Sequence, residues 1–130
     1  MIVLDASAVL EVLLRTPVAR AIEARLFAAG ESLHAPHLLD VEVAQVLRRY
    51  AAAGSLDADR GREALVDLVD LPITRYPHHL FLPRIWELRH NVTAYDAAYL
   101  ALAEALQAPL LTCDARLAAA PGHRARVEQV

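Results

Sequence analysis

Short apolar runs alternate with longer helical segments along the chain, and this alternation predicts the fold. Five runs have the length and composition of strands: Met1–Leu4, Ser32–Ala35, Pro72–Thr74, Leu110–Thr112 and a weaker one through Val127. Between them, apolar residues recur at the spacing of amphipathic helices. Helices that alternate with strands favour an α/β domain with a parallel sheet. No linker or repeat divides the sequence, so residues 1–130 are expected to form one domain.

Residues that commonly begin or end helices bound the helical segments. Ser7 is placed to cap the first helix, and Gly30 and Gly54 end the second and third. Asp57 and Thr93 are further N-cap positions. The predicted helices contain Val9–Leu14, Val18–Ala29, His37–Ala53, Ala58–Val69, a segment that Pro77 opens and that includes Trp86, and Ala94–Leu106.

Composition excludes several kinds of chemistry. All thirteen basic residues are arginines, so no lysine is available for a Walker phosphate loop or a Schiff base. Four glycines are too few for a glycine-rich phosphate loop. Cys113 is the one cysteine, which excludes an intramolecular disulfide and a cysteine-rich zinc site.

The sequence also argues against a membrane protein. The longest stretch without Asp, Glu, Arg or His is Ala105–Cys113, nine residues, whereas a membrane-spanning helix needs roughly 20. Asp5 interrupts the first apolar run before a secretory signal could form. A cytoplasmic location is therefore expected.

Four acidic residues are placed where they can converge. Asp5 and Asp114 follow the first and fourth predicted strands, and parallel strands bring such residues to one sheet edge. Glu42 and Asp96 lie near the starts of helices, which begin at that same edge. Two like charges about 4 Å apart repel by roughly 4 kcal/mol at an effective dielectric of about 20, so a shared site needs a cation. Oxygen ligands alone favour Mg²⁺, or Mn²⁺ in its place.

A metal held by carboxylates suits phosphodiester hydrolysis. Without the four acids, the remaining charge is +1, so the rest of the surface need not repel a polyanion. Each acid also has a structural interpretation. Thr93 and Asp96 fit a capping box, and Glu42 fits the solvated face of an amphipathic helix.

Four motifs taken together resemble one family. They are Ile2–Ala8 with Asp5, the helical Glu42, Thr93–Ala103 with Asp96, and Leu111–Asp114. In order and spacing they resemble the PIN-domain family, and within it the VapC-type toxins of toxin–antitoxin systems. The resemblance implies a three-layer α/β/α sandwich around a mostly parallel sheet. It also implies Mg²⁺-dependent cleavage of single-stranded RNA and neutralisation by a cognate antitoxin.

The same resemblance assigns roles to individual residues. Asp5, Glu42, Asp96 and Asp114 match the family's metal-binding and catalytic acids, and Ser7 and Thr112 match its supporting hydroxyls. Some relatives carry a further acid where this chain has Arg116, so the resemblance does not extend to a second metal site, and Arg116 becomes a candidate phosphate contact.

Several alternatives stay open at this point. The chain could be a non-catalytic PIN-like module that binds RNA or an antitoxin, or a metal-dependent DNase. The resemblance also favours a homodimer, while the RNA target is not encoded in the motifs. Tyr99 and Trp86 are expected in the core, and Arg84 and Arg89 are better RNA-binding candidates than Arg48 and Arg49, which are expected on a solvated face.

Overall fold

A computed structural model describes residues 1–130 and contains one five-stranded sheet. The strands are β1 (Ile2–Leu4), β2 (Leu33–Pro36), β3 (Ile73–Tyr76), β4 (Leu110–Thr112) and β5 (Val127–Gln129). Their order across the sheet is β3-β2-β1-β4-β5, and every pair is parallel. In this register Val3 of β1 pairs with His34 on one side and Leu110 on the other. The predicted parallel sheet is therefore confirmed.

Seven helices connect the strands. They are α1 (Ala6–Leu13), α2 (Ala19–Leu26), α3 (Leu38–Ala52), α4 (Ala58–Asp70), α5 (Leu82–Glu87), α6 (Ala94–Leu106) and α7 (Ala115–Ala118), with a 3₁₀ turn at His78–Phe81. The chain runs from β1 outward to β3 through α1–α4, and then returns across the sheet to β4 and β5. Right-handed crossovers in opposite directions place α1–α4 on one face of the sheet and α5–α7 on the other. The fold is thus the expected three-layer α/β/α sandwich.

The core lies on both faces of β1. All three residues of β1 are fully buried, and α6 buries an unbroken run from Ala97 to Ala103. Small alanines on α6 let this helix approach the sheet closely, while Leu100 and Leu102 fill the space around it. The centre of the sheet is therefore held rigidly, and its strand ends provide fixed positions for side chains. None of the helices is long and apolar enough to span a membrane.

Two local predictions are wrong. Ser7 does not cap α1. Instead Asp5, in extended conformation, caps the helix by accepting a hydrogen bond from the Ser7 backbone N–H. Trp86 is not in the core. Its side chain is 68% exposed and stacks under the Arg89 guanidinium at 4.6 Å. The buried residue is Leu88, two positions later and therefore on nearly the opposite side of the helix.

Candidate active site

The strand order creates a crevice at the carboxyl end of β1. The chain leaves β1 toward β2 on one side, and β4 arrives later on the other side. In open α/β sheets, ligands bind at the point where the order reverses. Asp5 directly follows β1 and Asp114 lies two residues beyond the end of β4. Both predicted strand-end acids are therefore positioned at this crevice.

A cavity of about 740 Å³ opens at this crevice, between α1, α3 and the start of α6. The structure places all four predicted acids in its lining: Asp5, Glu42, Asp96 and Asp114. Ser7 also lines the cavity, whereas Thr112 lies fully buried beneath it. The acids come from four separate elements, so only the folded sheet brings them together.

Asp5 is the most buried of the four acids, at 6% exposure. Its carboxylate accepts hydrogen bonds from the Ser7 backbone N–H and from the Thr112 hydroxyl. Burial nevertheless raises the pKa of Asp5, and the nearby Asp114 charge adds to this effect. A carboxylate held this way has a fixed orientation and is destabilised as an anion, so it favours a cation nearby.

Ser7 and Thr112 form a hydroxyl pair that joins α1 to β4. Because the single Thr112 hydroxyl hydrogen goes to Asp5, the Ser7 hydroxyl is the donor in their 3.2 Å contact. Each hydroxyl oxygen also accepts a backbone hydrogen bond at 2.9 Å, Ser7 from Cys113 and Thr112 from Asp114. The pair thereby fixes the loop that carries Asp114 relative to Asp5.

Glu42 faces the cavity from the second turn of α3. Burial raises its pKa to about 7, and the charges of Asp5 and Asp96 act in the same direction. The hydroxyl of Tyr99 opposes this shift by donating a 3.1 Å hydrogen bond to Glu42 Oε2. Tyr99 is 1% exposed, as predicted for a core residue, and its own pKa is raised by burial and by the Glu42 charge.

Asp96 and Asp114 complete the acidic lining. Thr93 caps α6 by accepting from the Asp96 backbone N–H at 3.1 Å. The Asp96 carboxylate makes no return bond to the Thr93 backbone N–H, so the capping box is only half formed. Burial, followed by the charges of Asp5 and Asp114, raises the pKa of Asp96, and the Thr93 side chain opposes this shift. Asp114 caps α7 by accepting from the Arg116 N–H at 2.8 Å.

The donor set fits a hard divalent cation. Carboxylate oxygens are the ligands that Mg²⁺ and Mn²⁺ prefer, and burial, with mutual repulsion adding to it, raises the pKa values of Asp5, Glu42 and Asp96. A bound cation removes this repulsion. No three of the acids lie close enough together to coordinate one metal ion in this arrangement. The carboxylates therefore surround an open space.

Sequence reasoning missed three residues of this cavity. Tyr99 was expected only as core packing, Glu11 of α1 was not singled out, and Arg49 was expected on a solvated face. Arg49 follows Glu42 by seven residues, which is two helical turns, so the shared face was readable from the sequence. The other two cavity contacts depend on how α1 and α6 pack, which no local pattern encodes.

The arginines favoured for RNA binding lie elsewhere. Arg84 pairs with Glu104 at 2.8 Å and Glu87 at 2.9 Å, and Arg89 stacks on Trp86. Neither lines the acidic cavity. The predicted preference for Arg84 and Arg89 over Arg49 is therefore not supported by the geometry.

Comparison with known proteins agrees with this architecture. The family model of the PIN domain matches residues 2–122. Ribonuclease VapC12 of Mycobacterium tuberculosis is 44% identical over 130 residues, which cover 100% of this chain and 99% of that protein. Ribonuclease VapC9 of the same organism is 50% identical over 117 residues, covering 90% of this chain and 88% of the relative.

A solved structure has a similar fold. VapBC2 from Rickettsia felis, bound to a DNA fragment from its promoter, superimposes with a TM-score of 0.69 at 14% identity, covering 99% of this chain and 98% of the other. At this identity the likeness shows the fold alone. The sequence matches carry the assignment further: the chain belongs to the PIN-domain family and, within it, to the VapC-type ribonucleases.

Proposed function

We propose that this ribonuclease is the toxin of a toxin–antitoxin pair and hydrolyses phosphodiester bonds of single-stranded RNA at the acidic cavity. The carrying observation is that Asp5, Glu42, Asp96 and Asp114, from four elements, line one cavity at the sheet's switch point. These four carboxylates would hold Mg²⁺, with Mn²⁺ as a substitute. Such an ion would lower the pKa of a water nucleophile and stabilise charge on the phosphate.

The protein's own groups prepare the site. Ser7 and Thr112 hold the Asp5 carboxylate and the Asp114 loop in place, so the floor of the cavity is preorganised. The Tyr99 hydroxyl holds Glu42 and favours its ionised form. Supporting hydrogen bonds of this kind keep ligating carboxylates in one rotamer, and their loss typically weakens metal binding 10- to 100-fold.

The partners follow from the same assignment. A structural neighbour is a VapBC complex, and we extend its toxin–antitoxin arrangement to this chain as a cognate antitoxin. An antitoxin arginine placed among the four acids would replace the cation by charge pairing. We further propose a homodimer acting in the cytoplasm, with sedimentation velocity as the check on its oligomeric state.

A cleavage assay tests the proposed function. Labelled single-stranded RNA and DNA pools are incubated with Mg²⁺, Mn²⁺ or EDTA and with wild type or Asp96→Asn. Asp59→Asn is the matched control, because Asp59 is an exposed acid in the first turn of α4. RNA cleavage that needs the metal, survives in Asp59→Asn and disappears in Asp96→Asn is the expected result.

Other outcomes identify the alternatives. Equal cleavage of DNA would indicate a nuclease without sugar selectivity. A folded wild-type protein that binds RNA, yet cuts neither pool with any metal, would contradict the enzyme and favour a binding module. Equal rates for wild type and Asp96→Asn would remove Asp96 from the site.

A further inference from the structure

One arginine differs from the others in its position relative to the acidic cavity. Seven of the thirteen arginines form ion pairs with carboxylates: Arg25, Arg60, Arg62, Arg75, Arg84, Arg124 and Arg126. The other six make none. Arg49 is one of these six, and it is the only basic residue that lines the cavity.

Arg49 shares one face of α3 with Glu42. The cavity residues Glu42, Gln45, Val46 and Arg49 follow one another at intervals of three, one and three, which is a continuous helical face. Seven residues correspond to roughly 10 Å along the helix axis. This separation explains why Arg49 forms no ion pair with the acids. Its guanidinium is exposed and its donors are free.

Tyr95 lies on another wall of the same cavity. It occupies the first turn of α6, directly before Asp96, and its side chain is 67% exposed. Its hydroxyl makes no hydrogen bond within the protein. The core role on this helix belongs to Tyr99, one turn later, which is buried. Nothing in the packing of the domain therefore requires an aromatic ring at position 95.

The cavity alone is unfavourable for a polyanion. Five acids line it, namely Asp5, Glu11, Glu42, Asp96 and Asp114, and Arg49 supplies the only opposing protein charge on its walls. A nucleic-acid strand that reaches the acids therefore needs a cationic contact beside them. A guanidinium suits this purpose, since it binds phosphate through two parallel hydrogen bonds. An exposed aromatic face on another wall of the same cavity can stack on any base.

We propose that Arg49 and Tyr95 form a subsite for the nucleotide next to the scissile phosphate. Arg49 binds the phosphate of that nucleotide, and Tyr95 stacks on its base. This inference rests on the proposed ribonuclease function and adds to it the residues that hold the substrate strand. Because Arg49 lies two turns from Glu42, it contacts a neighbouring phosphate and not the one that is cleaved.

The neighbouring arginine provides a matched control. Arg48 is also exposed, also lacks an ion pair and lies on the same helix, but it does not line the cavity. Arg48→Gln and Arg49→Gln therefore change the net charge equally and differ only in position. Single-turnover cleavage of a labelled RNA in Mg²⁺, over a range of protein concentrations, gives the half-saturating concentration and the maximal rate for each variant.

Arg49→Gln is expected to raise the half-saturating concentration about tenfold, while the maximal rate stays within about threefold of wild type. When the logarithm of the half-saturating concentration is plotted against the logarithm of salt concentration, the slope should fall by about 0.7. This is the value for one lost phosphate contact on a single strand, about 0.7. Arg48→Gln should change neither quantity appreciably. Equal effects of the two substitutions would overturn the role of Arg49.

Tyr95 has its own pair of variants. Tyr95→Phe keeps the ring and should behave as wild type, whereas Tyr95→Ala should raise the half-saturating concentration about tenfold. Equal behaviour of Phe and Ala would overturn stacking. Thermal unfolding of every variant shows whether the fold is retained. A wild type without metal-dependent cleavage overturns the proposed function itself, whereas an active wild type with equal Arg48 and Arg49 variants overturns only the subsite.

Discussion

The Tyr99 hydroxyl donates a 3.1 Å hydrogen bond to Glu42 Oε2 and so links α6 to α3 across the layers of the domain. Two influences on the pKa of Glu42 oppose each other. Burial and neighbouring charges favour protonation of Glu42, whereas the tyrosine hydrogen bond favours its anion. Tyr99 thereby controls how readily Glu42 can serve as a metal ligand near neutral pH.

Tyr99→Phe should therefore weaken metal binding. Without the hydroxyl, the pKa of Glu42 rises above about 7, so less of it is ionised at pH 7. We expect the Mg²⁺ concentration for half-maximal cleavage to rise at least severalfold, and excess Mg²⁺ or a higher pH to restore the rate. Metal titrations of RNA cleavage at pH 7 and pH 8.5 provide the measurement.

The control for this prediction is Tyr95→Phe, on the same helix one turn earlier. Tyr95 makes no hydrogen bond to an acid, so the Mg²⁺ dependence of RNA cleavage by Tyr95→Phe should equal that of wild type. If Tyr99→Phe lowered the rate equally at all metal concentrations and both pH values, the tyrosine would act on something other than Glu42 ionisation.

Asp5→Asn should abolish cleavage without unfolding the domain. An asparagine oxygen can still cap α1 by accepting from the Ser7 N–H, but it supplies no charge to a cation, and its amide nitrogen cannot accept from the Thr112 hydroxyl. Loss of a buried charge beside Asp114 removes repulsion and offsets part of that lost hydrogen bond. We expect cleavage to fall at least 100-fold while thermal unfolding still shows a folded domain.

Asp57→Asn is the comparison for Asp5→Asn. Asp57 is also the N-cap of a helix, α4, but it lies outside the cavity. Its substitution should leave cleavage unchanged. Cleavage by Asp5→Asn at the wild-type rate, with contaminating nuclease excluded, would remove Asp5 from the metal site.

The acidic cavity should make metal-free stability fall as pH rises. The pKa of Glu42 is about 7 in the folded chain against 4.5 for an ordinary glutamate, so between these values the folded state holds a proton that the unfolded state has lost. The contribution of Glu42 to the free energy of unfolding is therefore more favourable below pH 4.5 than above pH 7. Asp5 and Asp96 shift in the same direction.

Thermal unfolding in EDTA from pH 4.5 to pH 8 measures this effect. Glu42→Gln should lose part of the pH-dependent decrease in melting temperature, and added Mg²⁺ should raise the wild-type value most at the higher pH. Glu63→Gln, at an acid whose side chain is 71% exposed, serves as the control. Parallel curves for wild type and Glu42→Gln would refute the raised pKa.

An ion pair outside the cavity lining should contribute to stability. Arg75 on β3 donates to both Asp40 oxygens and also to the backbone oxygens of Ile73 and Leu68, so it joins α3 and α4 to β3. Arg75→Lys loses this forked geometry. Because Asp40 is 42% exposed, solvent screening limits the expected loss to about 1 kcal/mol.

Urea unfolding of Arg75→Lys and Arg62→Lys separates geometry from charge. Arg62 pairs with Asp59 at 3.4 Å, but both side chains are about four-fifths exposed, at 78% and 80%. Its substitution should change the free energy of unfolding by well under 1 kcal/mol. An equal effect of the two substitutions would show that the forked contacts of Arg75 contribute nothing.

The sequence predicted those elements whose signals are local. Helix α6 was predicted at its observed bounds, Ala94–Leu106, because Thr93 caps it and an alanine-rich apolar run follows. The convergence of four acids was predicted because parallel strands end, and the helices after them begin, at one sheet edge, and because the motifs resemble those of the PIN-domain family. The segment opened by Pro77 was only partly predicted, because it divides into a 3₁₀ turn and the short α5.

The failures come from tertiary contacts. The helical spacing of Trp86 suggested a core position, but the residue buried in this segment is Leu88, on nearly the opposite side of the helix. Arg84, favoured for RNA binding, pairs with Glu104, distant in sequence, and lies outside the cavity lining, while its role in RNA binding stays a prediction. Ser7 could have been a cap, but the extended backbone at Asp5 places that carboxylate over the helix start. Each outcome depends on a neighbour that no local pattern specifies.

The hydrogen bond from Thr112 to Asp5 joins residues 107 positions apart. Contacts of such long range form late, because closing a long loop costs entropy before any contact compensates for it. During translation, Asp5, Glu42 and Asp96 are synthesised before β4, and until then one edge of β1 remains unpaired. We therefore expect the nascent toxin to remain inactive on the ribosome, with RNA cleavage beginning only after β4 has joined the sheet.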